Sequence, residues 1–394
     1  ANADLATFEK SISTQRISDT ESVSIKADGE KCLLKVWDEG MQDGDVVSVK
    51  LNGVLVLHDY ILKREIRVIG LLLSKGENTE TKKYFIDWLI KIKGVDNDFY
   101  QEYNIDLTNK RVMICFESKS LGDSLAWIPY VEKFRTDNKC KVICSSFNND
   151  LFKDQYPDIE FVLPGSNVNN INALYRLGLF YTDERKIDFT KHYNDPKKEP
   201  LMKVASDILG LDYVELKPKL KKLGKKKKKL VSIAIHSTAQ CKYWNNPTGW
   251  QDVVDWLNNK GYTVKLLSKE GNDYMGNKHP NGVVKHPNGP LESVMDEMAK
   301  SKAFIGIGSG LSWLSWALGT KTVLISGFSY DWAEMKECVR ITPPNDKCGG
   351  CFNRLKLDAG DWNWCPDHKG TNRQFECTKG ITSESVIKEL EKFL

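Results

Sequence analysis

The chain has 394 residues, with 57 Lys or Arg against 53 Asp or Glu, so its formal net charge is only +4. This balanced charge gives no argument for a nucleic acid partner. Apolar residues make up 41% and charged residues 28%, a composition that excludes wholesale disorder. No run approaches the roughly 20 apolar residues of a membrane span, and the N-terminus lacks a secretory signal pattern. We therefore expect a cytoplasmic protein with no integral membrane segment and no bound nucleic acid.

Residues 1–105 are predicted to form a β-rich N-terminal domain. β-branched residues alternate with polar ones in runs that turn residues separate, and these runs predict strands at 23–27, 32–38, 45–60 and 64–73. Within the third run, the pair Asn52-Gly53 is typical of a two-residue hairpin turn. The region shows no catalytic constellation.

Near residue 106 the pattern changes to apolar strands that alternate with helices, which is typical of an α/β fold with parallel sheets. Residues 106–215 and 216–345 are each predicted to form a Rossmann-like unit. Strands are predicted at 111–118, 141–146, 159–164, 230–237, 262–269, 303–309 and 321–327, and helices at 124–137, 250–261, 290–301 and 311–319. Gly261 and Gly319 occur where two of these helices should end.

Two further segments stand apart from this alternation. The lysine-rich stretch 216–230, with its run at 225–229, is interpreted as a solvated linker in preference to a patch for an acidic partner or lipid. Residues 346–394 form a cysteine-containing segment that ends in an amphipathic helix at 383–394. Ser383 is the expected cap of that helix, and its apolar stripe comprises Val386, Ile387, Leu390, Phe393 and Leu394.

Two motifs follow predicted strands, where open α/β sheets bind their ligands. Gly308-Ser309-Gly310, followed by Leu311, begins a helix whose backbone N–H groups could bind phosphate, although a tight turn would use the same residues. Asp123 follows the first strand of the first unit. A carboxylate there could act as the general base that deprotonates an attacking hydroxyl, or it could simply cap the helix.

A third motif follows the first strand of the second unit. Lys242 could offer its charge to a diphosphate, with Ser237 and Thr238 supplying hydroxyl groups. The alternative is an exposed loop lysine. Lys269, at the end of the next strand, is a weaker candidate for the same nucleotide pocket.

Five of the ten cysteines lie near the C-terminus, and four of these have the spacing Cys348-x2-Cys351-x13-Cys365-x11-Cys377. Four thiolates favour one structural zinc or iron ion per chain and leave no open position for catalysis, so no catalytic metal is expected. Spacing alone favours zinc, and the alternative is a patch of reduced cysteines. His368 could replace one thiolate, but a surface histidine is preferred.

Together these features indicate a glycosyltransferase of the GT-B layout, with two Rossmann-like domains. In detail the chain resembles the bacterial autotransporter heptosyltransferases over about residues 105–394. The resembling stretches are 121–123 with 127–130, 304–319, 323–328, 364–371 and 373–378. The related lipopolysaccharide heptosyltransferases usually have Asp and His at the positions of Gly308 and Trp313, which favours the protein-modifying branch.

The resemblance implies an inverting enzyme that transfers heptose from ADP-heptose to serine hydroxyls of a β-solenoid passenger protein. It implies that Asp123 is the base, that Lys242 and residues 308–311 bind the donor diphosphate, and that the four cysteines hold iron in a homo-oligomer. The N-terminal β domain would engage the acceptor. Two alternatives remain: a lipopolysaccharide-type heptosyl- or hexosyltransferase that acts on a glycolipid, and a non-catalytic nucleotide-sugar-binding module.

Overall fold

The computed structural model describes the strands between Lys31 and Asn104, the short segment 83–86, and residues 105–394 except 222 and 225–228. Side chains are described for 83–86 and for that last range. The predicted strand at 23–27 and most of the lysine run lie outside the described residues. The chain divides into two compact units, Ala1–Thr108 and Asn109–Leu394.

The first unit contains antiparallel strands, as its alternating pattern predicts. They are β1 (Lys31–Val36), β2 (Val46–Leu51), β3 (Val54–Ile61), β4 (Arg67–Leu72), β5 (Leu89–Gly94) and β6 (Tyr100–Asn104). One sheet has the order β1-β4-β5-β6, and β2 pairs with β3. Because Leu51 pairs with Val54 across two residues, the hairpin predicted from Asn52-Gly53 is confirmed.

The second unit begins with a parallel sheet in the order β10-β7-β8-β9. Its elements are β7 (Arg111–Phe116), α1 (Leu121–Asp137), β8 (Lys141–Ser145), α2 (Asn149–Phe152), β9 (Ile159–Val162), β10 (Ala173–Leu177) and α3 (Leu201–Ile208). Val112, Ile114 and Phe116 on β7 are buried, as expected for a strand that helices cover. We refer to this sheet and its helices as the first lobe.

The second lobe is built on a parallel sheet in the order β13-β12-β11-β14-β15-β16. Its elements are β11 (Leu230–Ala234), α4 (Gly249–Asn259), β12 (Thr263–Leu266), β13 (Val283–Lys285), α5 (Leu291–Lys300), β14 (Ala303–Ile307), α6 (Gly310–Ala317), β15 (Lys321–Ile325) and β16 (Val339–Ile341). Strands β11 and β14 are buried along their whole length. The predicted α/β fold with parallel sheets is therefore confirmed, whereas the boundaries proposed at 215 and 345 stay predictions.

The chain ends with α7 (Cys351–Arg354), α8 (Glu376–Lys379) and α9 (Ser383–Leu390). Val386 and Leu390 are buried in the core of the second lobe, and Phe393 packs against that core, so the predicted stripe is confirmed. The predicted cap at Ser383 is wrong. Thr382 occupies that position and accepts from Ser385 N at 3.3 Å, because the Ser383 hydroxyl donates to Asp252 instead, at 2.8 Å.

Gly261 and Gly319 have φ angles of 74° and 69°, the left-handed conformation that commonly ends helices. Both predicted helix ends are thus confirmed. In the part of the chain that the structure describes, no helix is long and apolar enough to cross a bilayer.

Candidate functional site

The starts of α1 and α6 meet between the two lobes, and two glycines make that approach possible. A Cβ atom on Gly122 would lie 2.8 Å from Trp313 Cδ1, and one on Gly310 would lie 3.0 Å from Leu121 Cβ. Each helix is the first element after a parallel strand, α1 after β7 and α6 after β14. The Asp123 segment of the first lobe and the Gly308–Leu311 loop of the second lobe are therefore neighbours.

Asp123 lies in the first turn of α1 and does not cap it, because the N-cap position belongs to Ser120. Burial raises the pKa of Asp123, while hydrogen bonds with Ser118 and Ser120 and the charge of Lys242 oppose that rise. A carboxyl group with a raised pKa is a better proton acceptor once ionised. Asp123 thus has the position and the environment of a general base.

Lys242 ends a 3₁₀ turn, Gln240–Lys242, that follows β11. Its Nζ lies 5.0 Å from the centre of the Phe328 ring, and its charge acts on Asp123 across the lobes. Ser237 is partly buried and Thr238 is exposed on the segment that leads into this turn. The structure therefore brings Lys242 and Asp123 to one site.

The loop before α6 presents backbone donors to this site. Ser309 is the N-cap residue with extended backbone, and its side chain makes no capping hydrogen bond. The Ser312 hydroxyl donates to Ile307 O at 2.6 Å and so ties the first turn of α6 to the end of β14. Together with Lys242, the N–H groups and dipole of this helix start are suited to an anionic group.

Lys269 is exposed, and its neighbours instead form a polar cluster that sequence reasoning missed. His236 Nδ1 lies 2.6 Å from Ser268 Oγ, and Ser268 donates to Glu270 at 2.9 Å. Burial lowers the pKa of His236 to about 4, so its ring is neutral near pH 7. The sequence contains a signal for this cluster, because His236 and Ser268 each come two residues after one of two adjacent parallel strands, and such strands end at the same edge of a sheet.

The predicted metal ligands are brought together around one small cavity near the C-terminus. Its lining includes Cys348, Cys351, Cys365 and Cys377. Burial raises the pKa of Cys351 and of Cys377 to about 12, so a bound ion would have to displace their protons. Four thiol groups around one cavity fit a soft tetrahedral ion such as zinc or iron.

Two further features of this cavity were not expected. Cys241, which precedes Lys242, also lines it. The ring of His368 is partly buried and its Nε2 lies 3.5 Å from Glu376 Oε1, so the preference for a satisfied surface histidine over a metal ligand stays a prediction. Ligand atoms of Cys348, His368 and Glu376 lie within 4.8 Å of one another and could also hold a metal ion.

The cysteine segment packs against the residues that hold Lys242. Phe328 lies in one apolar cluster with Cys241 and Cys365, and its ring packs against Phe352 at a centroid distance of 4.9 Å. From the first lobe, the buried Lys197 donates to Phe352 O at 2.7 Å. The segment therefore contacts both lobes beside the site.

Comparison with known proteins shows which family this chain resembles. Residues 184–330 match the profile of glycosyltransferase family 9 (heptosyltransferase). The autotransporter heptosyltransferase Aah of Escherichia coli is 37% identical over 340 residues, which cover 81% of this chain and 84% of Aah. A relative from Burkholderia thailandensis, the inactive autotransporter heptosyltransferase BimC, is 30% identical over 80% of this chain and 76% of its own length.

The structure is also similar to that of TibC from Escherichia coli O78:H11. TibC is described as a dodecameric iron-containing heptosyltransferase, solved in complex with ADP-D-β-D-heptose. The TM-score is 0.73 at 33% identity, and the match covers 84% of this chain and 88% of TibC. Sequence and fold thus agree, and the chain belongs to the autotransporter heptosyltransferase family of glycosyltransferases.

Proposed function

We propose that this protein is an inverting glycosyltransferase of the GT-B type that transfers heptose from ADP-heptose to serine hydroxyls of an autotransporter protein. The observation that carries the proposal is the convergence of Asp123, Lys242 and the Gly308–Leu311 loop between the lobes. The relatives support the donor and the acceptor class, since Aah is named for autotransporters and TibC is described with ADP-heptose bound.

In the proposed mechanism the donor diphosphate lies on the second lobe. Lys242 and the N–H groups at the start of α6 stabilise the charge that develops on the leaving diphosphate. Asp123, on the first lobe, accepts the proton of the serine hydroxyl. The serine oxygen attacks the anomeric carbon on the face opposite the leaving diphosphate, which inverts the configuration at that carbon. The contact between the starts of α1 and α6 excludes water that would otherwise hydrolyse the donor.

Asp123→Asn tests the role of the base. It keeps the shape of the side chain and removes its ability to accept a proton, so transfer falls by about 10²–10⁴-fold while ADP affinity is retained. Asp137→Asn, at the exposed end of the same helix where Asp137 pairs with Lys133, is the matched control and keeps full activity. Near-normal transfer by Asp123→Asn would exclude Asp123 as the base.

The existence of an inactive relative, BimC, makes a non-catalytic sugar-nucleotide-binding protein the second candidate function. Asp123 and Lys242 support catalysis in this chain, because a binding module has no need of a base with a raised pKa beside the diphosphate site. Binding of ADP-heptose by pure protein, without turnover on any autotransporter passenger, would favour the second candidate.

We also propose that Cys348, Cys351, Cys365 and Cys377 hold one structural ion per chain, iron in preference to zinc, and that the protein is a homo-oligomer. The shared cavity supports the ligand set, and the description of TibC as iron-containing and dodecameric supports the metal and the assembly. The ion fixes the fold of the segment that packs against Phe328. Elemental analysis of the purified protein, together with its mass in solution, tests both statements.

A further inference from the structure

A carboxylate from a distant part of the chain fills the space beside the donor loop. A Cβ atom on Gly308 would lie 3.1 Å from Glu334 Oε1 and 3.7 Å from Ser326 Oγ. The φ angle of Gly308 is not positive, so its backbone conformation does not require glycine. A side chain at this position would instead press on the Glu334 carboxylate, which would have to shift by a few tenths of an ångström.

The second oxygen of this carboxylate is fixed by two donors. Arg340 Nη2 donates to Glu334 Oε2 at 2.7 Å, and Ser329 Oγ donates to the same oxygen at 3.0 Å. The side chains of Glu334 and Arg340 are only 11% and 9% exposed. The arginine balances the charge of the carboxylate and holds it firmly, as is typical of charge-assisted pairs.

The other oxygen, Oε1, faces Gly308 and receives no hydrogen bond from the part of the chain that the structure describes. An ionised carboxylate only accepts hydrogen bonds. It would repel a phosphate group, which Lys242 and the α6 N-terminus attract, but it matches the hydroxyl groups of a sugar. Within a nucleotide-sugar, Oε1 therefore suits the sugar and not the diphosphate.

We propose that Glu334 is a specificity-determining residue of the donor site and that its Oε1 accepts a hydrogen bond from a hydroxyl group of the donor's sugar. This inference rests on the proposed function, because it assumes that an activated sugar lies beside the Gly308–Leu311 loop. Arg340 and Ser329 act through Glu334 as positioning residues. The nucleotide part of the donor makes no contact with Glu334.

Binding of ADP and of ADP-heptose, measured by calorimetry on the full chain without acceptor, tests the proposal. Glu334→Gln weakens ADP-heptose binding by roughly tenfold or more, the effect of losing a hydrogen bond to a charged group, and leaves ADP affinity unchanged. Glu337→Gln is the control, because Glu337 lies on the same segment but is 74% exposed and pairs with Lys217. If Glu334→Gln does not fold, Glu334→Asp is measured instead. Its side chain is one methylene shorter, so the carboxylate no longer reaches the sugar, and we again expect weaker ADP-heptose binding with unchanged ADP affinity.

A double variant provides a rescue. Glu334→Ala empties the space beside Gly308, and adding Gly308→Asp places a carboxylate there again. The double variant recovers preferential binding of ADP-heptose over ADP relative to Glu334→Ala alone. If Glu334→Gln weakened the binding of ADP and of ADP-heptose equally, Glu334 would have only a structural role and the proposal would be refuted. Unchanged affinity for ADP-heptose would also refute it. Failure of the wild-type protein to bind either ligand would instead refute the proposed function.

Discussion

The contact between the starts of α1 and α6 leads to a prediction about Gly122. In Gly122→Ala the new methyl group would lie 2.8 Å from Trp313 Cδ1, a separation that carbon atoms do not tolerate. Trp313 is only 4% exposed and packs edge-on against Trp316 at 5.7 Å, so it has little room to move away. The two helix starts must therefore separate.

The magnitude follows from two opposing effects. Alanine is favoured over glycine within a helix by up to about 1 kcal/mol, whereas an extra methyl group in a packed interior costs about 1–3 kcal/mol. The net result is a loss of roughly 0–3 kcal/mol of folding free energy. Transfer falls much further, because a displacement of about 1 Å at Asp123 can cost about 10²-fold in rate.

Gly224→Ala is the control, since a Cβ atom on Gly224 meets no atom of the described residues within 4 Å. Urea unfolding measures the change in stability, and initial rates of transfer measure the change in activity. If Gly122→Ala were more stable than the wild type and fully active, the close approach of α1 and α6 would be wrong, and with it the shared site.

Four other predictions follow from the site. Lys242→Ala weakens ADP binding by about 1.5–3 kcal/mol, and unchanged affinity in calorimetry would remove Lys242 from the donor site. The acid limb of kcat/KM against pH lies above the range of an ordinary carboxyl group, near 3.9, because burial raises the pKa of Asp123; a limb at the ordinary value would contradict this. Because the pKa of Asp123 is higher in the folded than in the unfolded state, ionising its carboxyl group above about pH 3.9 lowers the stability of the fold. Asp123→Asn removes this charge and therefore does not lower the melting temperature at pH 7. Cys348→Ser lowers the metal content of the purified protein, whereas Cys140→Ser, on the other lobe, leaves it unchanged.

The sequence predicted the parts of the fold that local patterns determine. Strand β14 is a continuous apolar run that ends in Gly308-Ser309-Gly310, so both the strand and the loop could be recognised. The short strands β10, β13 and β16 were missed, because three to five residues at or near a sheet edge give no periodic signal.

The candidate site was predictable wherever its residues follow strands, as Asp123 and Lys242 do. Glu334 could not be predicted, because it lies in an irregular segment and reaches Gly308 only through tertiary packing. Cys241 is more than a hundred residues from Cys348 in the chain, so no spacing rule connects it to the metal segment. Ser383 and Thr382 are both good capping residues, and only the hydrogen bond to Asp252 decides between them.

We propose that this chain transfers heptose to protein with Asp123 as the base. The most direct test is the intact mass of an autotransporter passenger domain after incubation with the purified enzyme and ADP-heptose. We predict mass increases in steps of one heptose on the passenger, mapped to serine residues, with the wild-type enzyme and only traces with Asp123→Asn. An unmodified passenger in the presence of folded, donor-binding enzyme would contradict the proposed transfer to protein, and equal modification by Asp123→Asn would contradict the role of Asp123.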